Sequence, residues 1–231
     1  MATTLSKLVF NILNIKGGGR SSDDERLSAR QVEFQIGYIR SLLIRRDYEK
    51  GRSINPITEQ DLGCVPVELV DKADCCEVEV GCTILRTVNP VPTPIEVFDR
   101  DLVTYVGSVD KTHSFDEISP ARARFINYNK YTRGKTRWFY MGDYIYILNN
   151  KDLKYINIRG IFEDPREAAS YSHCTGEPCF TMDSDYPIAS WMIQPVTEMI
   201  LKGEVKESMI FPQDNKNDAS GSPTQPPVIN P

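Results

Sequence analysis

The residues that could do chemistry in this chain are few and badly placed for it. Two histidines and six cysteines stand among 231 residues. His173 and Cys174 are adjacent, and adjacent residues rarely make a working nucleophile–base pair. Cys64, Cys75, Cys76, Cys82, Cys174 and Cys179 never fall in C-x-x-C spacing, whereas zinc sites want close-set paired ligands. They read as reduced, mostly buried thiols, with Cys174 and Cys179 the pair best placed for a disulfide outside the cell. Gly17-Gly18-Gly19-Arg20-Ser21 is only loosely a phosphate loop. It lacks the Lys-Ser/Thr ending, and the acids that follow would repel phosphate. Asp99 with Asp101 and Asp183 with Asp185 are pairs common in acidic loops. No G-x-G-x-x-G, P-loop, H-E-x-x-H or G-x-S-x-G occurs. The sequence nominates no catalytic residue, no metal ligand and no cofactor, so an enzyme is not expected.

One block keeps a chemical option open. Arg122, Arg124, Lys130, Arg133, Lys135, Arg137, Lys151, Lys154 and Arg159 interleave with Tyr128, Tyr131, Trp138, Tyr140, Tyr144 and Tyr146. Cations that track a backbone and rings that stack on bases describe a single-strand nucleic-acid surface. Arg133, Lys135, Arg137, Trp138 and Tyr140 are its centre, as a nucleic-acid face or a protein-facing basic surface. The plainer alternative is a strand set whose alternate residues face core and water.

The elements that must carry these residues begin with one long helix, expected over 22–50. Ser22 and Glu25 have capping-box spacing, acids fill the first turn, and Arg45, Arg46 and Lys50 suit the negative end of the dipole. Gly51 supplies the stop. At 100° per residue, Leu27, Phe34, Tyr38 and Leu42 form one apolar row and Val32, Ile36, Ile39 and Leu43 a second. Together they span about 200°, twice the stripe of roughly 100° on an ordinary surface helix. Arg26, Arg30, Glu33, Arg40 and Ser41 mark the polar strip. Either the helix is wrapped by its own chain, or one row faces a neighbouring subunit. Leu27, Val32, Phe34, Ile36, Tyr38, Ile39, Leu42, Leu43, Arg45 and Arg46 are therefore the candidate interface.

Residues 1–20 read as an arm, a strand or short helix released by the triple glycine, packing on this chain or on a neighbour's sheet edge. A single domain spans 21–211, sheet-rich over 54–161. Strand signals run through Val65–Val70, Cys76–Val80, Thr83–Val88 and Leu102–Val106, with Pro90, Pro92 and Pro94 in a connector. A short helix is expected from Ser119 to Tyr131. Gly142-Asp143, between two aromatic β-branched runs, predicts a hairpin, and Lys154–Ile161 a third strand of an antiparallel meander. One helical turn at Pro165–Ala169, a last helix over 187–209 and a tail from 212 to 231 complete an α+β fold, the long helix packed with the meander. The tail is polar enough to be disordered alone or ordered by a partner.

Charge is blocked. Residues 1–52 hold ten cations and six acids, 53–120 four and thirteen, 121–159 nine and two, 160–231 four and eleven. Opposed blocks suit complementary subunit faces. No apolar run approaches the ~18 residues of a membrane span, and no signal-peptide cleavage site follows Leu8–Ile15. A soluble chain made in a cytoplasm is expected.

Asp23-Asp24-Glu25-Arg26-Leu27-Ser28-Ala29-Arg30-Gln31-Val32-Glu33-Phe34 with Ile44-Arg45-Arg46-Asp47 carries a resemblance, as do Gln60-Asp61-Leu62-Gly63-Cys64-Val65-Pro66 and Val70-Asp71-Lys72-Ala73-Asp74-Cys75. Over roughly residues 20–110 the chain resembles structural proteins of crAss-like tailed bacteriophages, the ring proteins of the head-to-tail connector. That resemblance implies a non-enzymatic virion subunit in a closed ring, usually of twelve copies, between portal and adjacent tail rings. Such a ring, assembled in the host cytoplasm, surrounds the channel through which genomic DNA leaves. A ring contact of this kind needs two different faces per subunit.

Overall fold

Apolar side chains segregate into two cores, one made by helices and one by a sheet. The structure, a computed structural model, describes residues 3–18, 28–71, 83–98, 100–123, 125, 128, 130–131, 134–171 and 180–210. In chain order come α1 (Leu5–Lys16), α2 (Ala29–Glu49), a 3-10 turn (Pro56–Thr58), β1 (Gln60–Asp71) and β2 (Thr83–Thr87). Then follow β3 (Glu96–Val97), β4 (Arg100–Asp101), β5 (Val103–Gly107), β6 (Asp116–Glu117) and α3 (Pro120–Ala123). The chain closes with β7 (Arg137–Met141), β8 (Tyr144–Leu148), β9 (Tyr155–Gly160), α4 (Pro165–Tyr171) and α5 (Ser190–Ile210). The class is α+β, as the residue pattern implied.

Helix α2 starts at Ala29. Ser28, in extended conformation, accepts from the Gln31 amide at 3.2 Å and satisfies one of the orphan donors of the first turn. The start expected at Ser22 is thereby corrected, since an extended Ser28 interrupts a helix running from 22; the Ser22–Glu25 box itself lies outside the described residues. The other end is as expected. Gly51 takes φ 71°, its amide bonds the Tyr48 carbonyl, and the Arg52 amide bonds that of Asp47. This crossed pair closes the last turn, and the left-handed residue in it favours glycine.

The N-terminal segment resolves to its helical alternative and packs on this chain. Thr4 caps α1, which buries Leu5, Leu8, Val9 and Ile12. The Ser6 amide bonds the Met182 carbonyl and the Tyr186 amide bonds that of Thr3, fixing α1 to the approach to α5. Helices α1, α2 and α5 then share a core in which Val32, Ile36, Ile39, Leu43 and Ile44 meet Met192, Val196 and Ile200. Helix α5 runs through Pro195, whose missing N–H leaves one helical bond unmade.

The sheet runs β5-β9-β1-β2-β8-β7-β6, antiparallel except for the β6–β7 pair. Gly142 and Asp143 both adopt positive φ (58° and 67°), the two-residue turn whose twist matches a hairpin, and β7 pairs with β8 as the sequence implied. The third strand does not continue that meander. β8 takes β2 as its other partner, and β9 lies beyond β1, between β1 and β5. The short Asn149–Lys154 connection gave no hint of this, because long-range pairing decided it. α3 is also shorter than the helix expected to Tyr131. After Ala123 the bonds Phe125 to Arg122 and Tyr128 to Phe125 have 3-10 spacing. The Cys76–Val80 strand and the tail from 212 lie outside the described residues.

The sheet core gathers Leu62, Val65, Leu85, Val106, Trp138, Ile145, Ile147, Ile156 and Ile158 beneath Phe162 and Ala168 of the α4 region. A bulge in β1 at Gly63 (φ 69°) is held by Asn157, whose buried amide donates to Asp61 Oδ1 at 2.7 Å and to the Gly63 carbonyl.

The two cores meet at Ile161–Phe162, where Arg40 pins them. Its guanidinium, fully sealed from solvent, donates to the carbonyls of Thr58, Phe162 and Pro187 at 3.1, 3.0 and 2.7 Å. Burial draws its pKa down to about 10, with Tyr186 and Asp164 opposing that. Arg40 and Ser41 were expected in the polar strip of α2. Both are buried, because this part of the strip faces a seam rich in backbone carbonyls, while Arg30 stays exposed. Long helix and sheet are thus joined through α2's contact with this seam and with β3, while most of α2 packs on the other helices.

Candidate functional site

The two apolar rows of α2 have different fates. Val32, Ile36, Ile39 and Leu43 are consumed by the chain's own helical core. Phe34, Tyr38 and Leu42 remain on the opposite side of the cylinder at 70%, 64% and 36% exposure. Leu27, the first member of that row, lies outside the described residues. Large apolar rings left out on a helix mark contact surfaces when they are contiguous.

These side chains line a groove of about 360 Å³ whose floor includes Gly37, Leu5 and Tyr186. Gly37 is what opens it. A Cβ at that position would meet only the Tyr186 hydroxyl, at 4.0 Å, so the helix backbone is accessible from the groove.

The rim is charged and ordered. Arg45 pairs with Glu163, and Arg166 bridges Asp164 at 3.0 Å and Glu33 at 3.3 Å. Burial would raise the Asp164 carboxyl, but hydrogen bonds from the Arg166 side chain and backbone outweigh it and hold it below the usual carboxylate range. The side-chain bond to Asp164 in turn raises the Arg166 guanidinium. Three carboxylates against two guanidiniums leave the rim with an excess of acid. Arg46, the remaining expected contact, is exposed on the same helix.

The basic aromatic block is not brought together as a stacking platform. Trp138 is 4% exposed and its indole donates to the Phe115 carbonyl at 3.2 Å. The Tyr140 hydroxyl donates to Asp143 Oδ1 at 2.9 Å, and burial with that carboxylate raises its pKa strongly. Both rings lie on the core side of β7, since Trp138 opposes Ile147 and Tyr140 opposes Ile145. Arg137 points the other way, half-buried; Lys135 is exposed, and Arg133 lies outside the described residues. On the outer face, Phe139 and Tyr146 stack at 5.0 Å and Arg86 lies 4.7 Å over Tyr144. Those rings are occupied by neighbours within the sheet.

Cys64 is a free, exposed thiol, and the other five cysteines and His173 lie outside the described residues. Among the described residues, no group of three or more His, Cys, Asp or Glu side chains could hold a metal ion. No helix among them is long and apolar enough to cross a membrane.

The chain as a whole is similar to known phage proteins. The family model described as phage tail ring protein 2 matches residues 7–225. A curated relative, "Ring protein 2" of Bacteroides phage crAss001, is 26% identical over 234 residues, covering 94% of this chain and 96% of that protein.

Proposed function

We propose, from the premise that the chain belongs to the phage tail ring protein 2 family, that it is a non-enzymatic virion subunit whose copies close into a ring through the α2 groove. The observation that carries this is the divided helix. One row of α2 holds the monomer together, while Phe34 and Tyr38 of the second stay mostly exposed, with Leu42 partly covered beside them. A ring subunit needs such a spare face, and a self-sufficient monomer does not.

The finer reading sets this ring in the connector between portal and tail, with twelve copies, adjacent tail rings as further partners and genomic DNA passing through the channel. It rests on the sequence resemblance and on the alternating charge blocks, which suit stacked rings. Assembly would take place in the host cytoplasm. Negative-stain electron microscopy of the purified chain, alone and mixed with its virus's portal protein, tests it. Closed rings with a central hole are expected, and single-subunit particles in both samples would refute it.

The competing reading, a single-strand nucleic-acid module on the 121–159 sheet, loses its main support with Trp138 and Tyr140 turned into the core.

A further inference from the structure

We infer that subunits join head to tail, the exposed aromatic segment at Phe125, Tyr128 and Tyr131 of one copy seating in the α2 groove of the next. This rests on the ring reading and names the face that reading leaves open. A rotational ring brings two different surfaces of the same chain together, so a second patch must exist away from the groove.

Among the described residues, one cluster of exposed aromatic rings has the right chemistry. Phe125, Tyr128 and Tyr131 are 62%, 85% and 87% exposed, three large rings within seven residues. Phe125 and Tyr128 lie 6.4 Å apart, tilted at 48°, so they present a joint apolar surface. Aromatic residues of this kind supply the anchors of protein interfaces, and an anchor needs a pocket. The groove between Phe34, Gly37 and Tyr38 is such a pocket, with apolar walls and helix backbone at its floor.

Placement agrees. The groove lies where β9 runs on into Glu163 and Asp164, and β9 is second from one edge of the sheet. The aromatic segment follows α3, which packs on β7, second from the other edge. The groove and the aromatic segment thus belong to different parts of the chain and share no residue, so one copy can offer its segment while its own groove receives the next.

Charge agrees as well. From Ile118 to Gly142 the chain has no acid and six cations, with Arg122, Lys130 and Lys135 exposed among them. The groove rim carries Glu33, Glu163 and Asp164 against Arg45 and Arg166. A basic aromatic segment meeting an acid-rimmed apolar groove is complementary in both respects, and like faces would repel.

The test places a benzoylphenylalanine photocross-linker at position 128 of the full chain. Ordinary and nitrogen-15 copies are mixed, assembled, irradiated and digested. Cross-links between light and heavy copies, from residue 128 to peptides within 31–45, are expected. Phe125→Ser with Tyr128→Ser should reduce ring yield at least tenfold without moving the thermal midpoint. Intact rings whose cross-links land elsewhere, or rings unaffected by the double substitution, would overturn this contact and leave the ring reading standing. Cross-linking to added single-stranded DNA instead would overturn it in favour of a nucleic-acid role for the segment. A wild-type chain that forms no ring under any condition would overturn both.

Discussion

Phe34 and Ile36 lie two residues apart on α2, and one is 70% exposed while the other is wholly sealed. The helix is bifacial, and under the proposed ring contact its two faces would separate assembly from folding. Replacing Phe34 and Tyr38 with Ser should change monomer stability by no more than about 0.5 kcal/mol, as expected for exposed positions, while ring formation is lost. Denaturant unfolding and sedimentation on the same sample check both halves. Wild-type assembly by this variant would exclude the exposed row from the contact.

Ile36→Ala is the complementary case. It deletes buried methyl groups from the helical core and should cost about 2–5 kcal/mol, read as a lower denaturant midpoint. Any loss of rings in this variant should track the unfolded fraction.

Arg40 should be the costliest charge on the molecule to remove. Arg40→Leu leaves the carbonyls of Thr58, Phe162 and Pro187 without their donor. A loss of about 3 kcal/mol or more is expected, since each buried acceptor left unpaired costs on the order of 1–3 kcal/mol. Arg40→Lys should not restore it, because one compact ammonium lacks the planar fork. Arg45→Ala, which breaks only the exposed pair with Glu163, should cost less than about 1 kcal/mol. Equal midpoints for Arg40→Leu and wild type would contradict the pinning role.

Acid should loosen the groove rim. The Asp164 carboxyl is held below its ordinary value in the folded chain, and so is Asp61, where burial is outweighed by bonds from Lys111, Gly63 and Asn157. A carboxyl depressed in the folded state stabilises above its unfolded pKa, near about 4, and that contribution fades as pH falls through the folded value. Thermal midpoints should therefore fall as pH drops from about 5 to below 3. Asp164→Asn should start lower at neutral pH and fall less steeply. Parallel pH profiles for the two proteins would contradict this.

Trp138→Ala should act on folding rather than on nucleic-acid binding. Emptying a buried indole site should cost about 3–5 kcal/mol. A folded variant with wild-type midpoint would show that the ring is not core.

Much of this was written in local chemistry. Two positive-φ positions at Gly142-Asp143 and a glycine stop at Gly51 are short-range signals, and both appear where the residue types demanded them. The double width of α2's apolar surface was equally legible, and only its division between core and surface needed the fold. Arg40 was misread because its charge outweighed its position. It lies four residues from both Ile36 and Ile44, inside the buried sector, and that spacing was the available signal. Trp138 and Tyr140 were grouped with the cations because strand alternation says which residues share a face but not which face is covered. The insertion of β1 and β2 between β8 and β9 depends on the pairing of residues as far apart as Arg86 and Tyr146 or Val65 and Ile156, which no local pattern encodes.

The most direct measurement is native mass spectrometry of the full chain, alone and with the portal protein of the same virus. The account predicts a single closed oligomer, twelve copies or a ring of that count captured by portal. A strict monomer at every concentration, indifferent to portal, would contradict it.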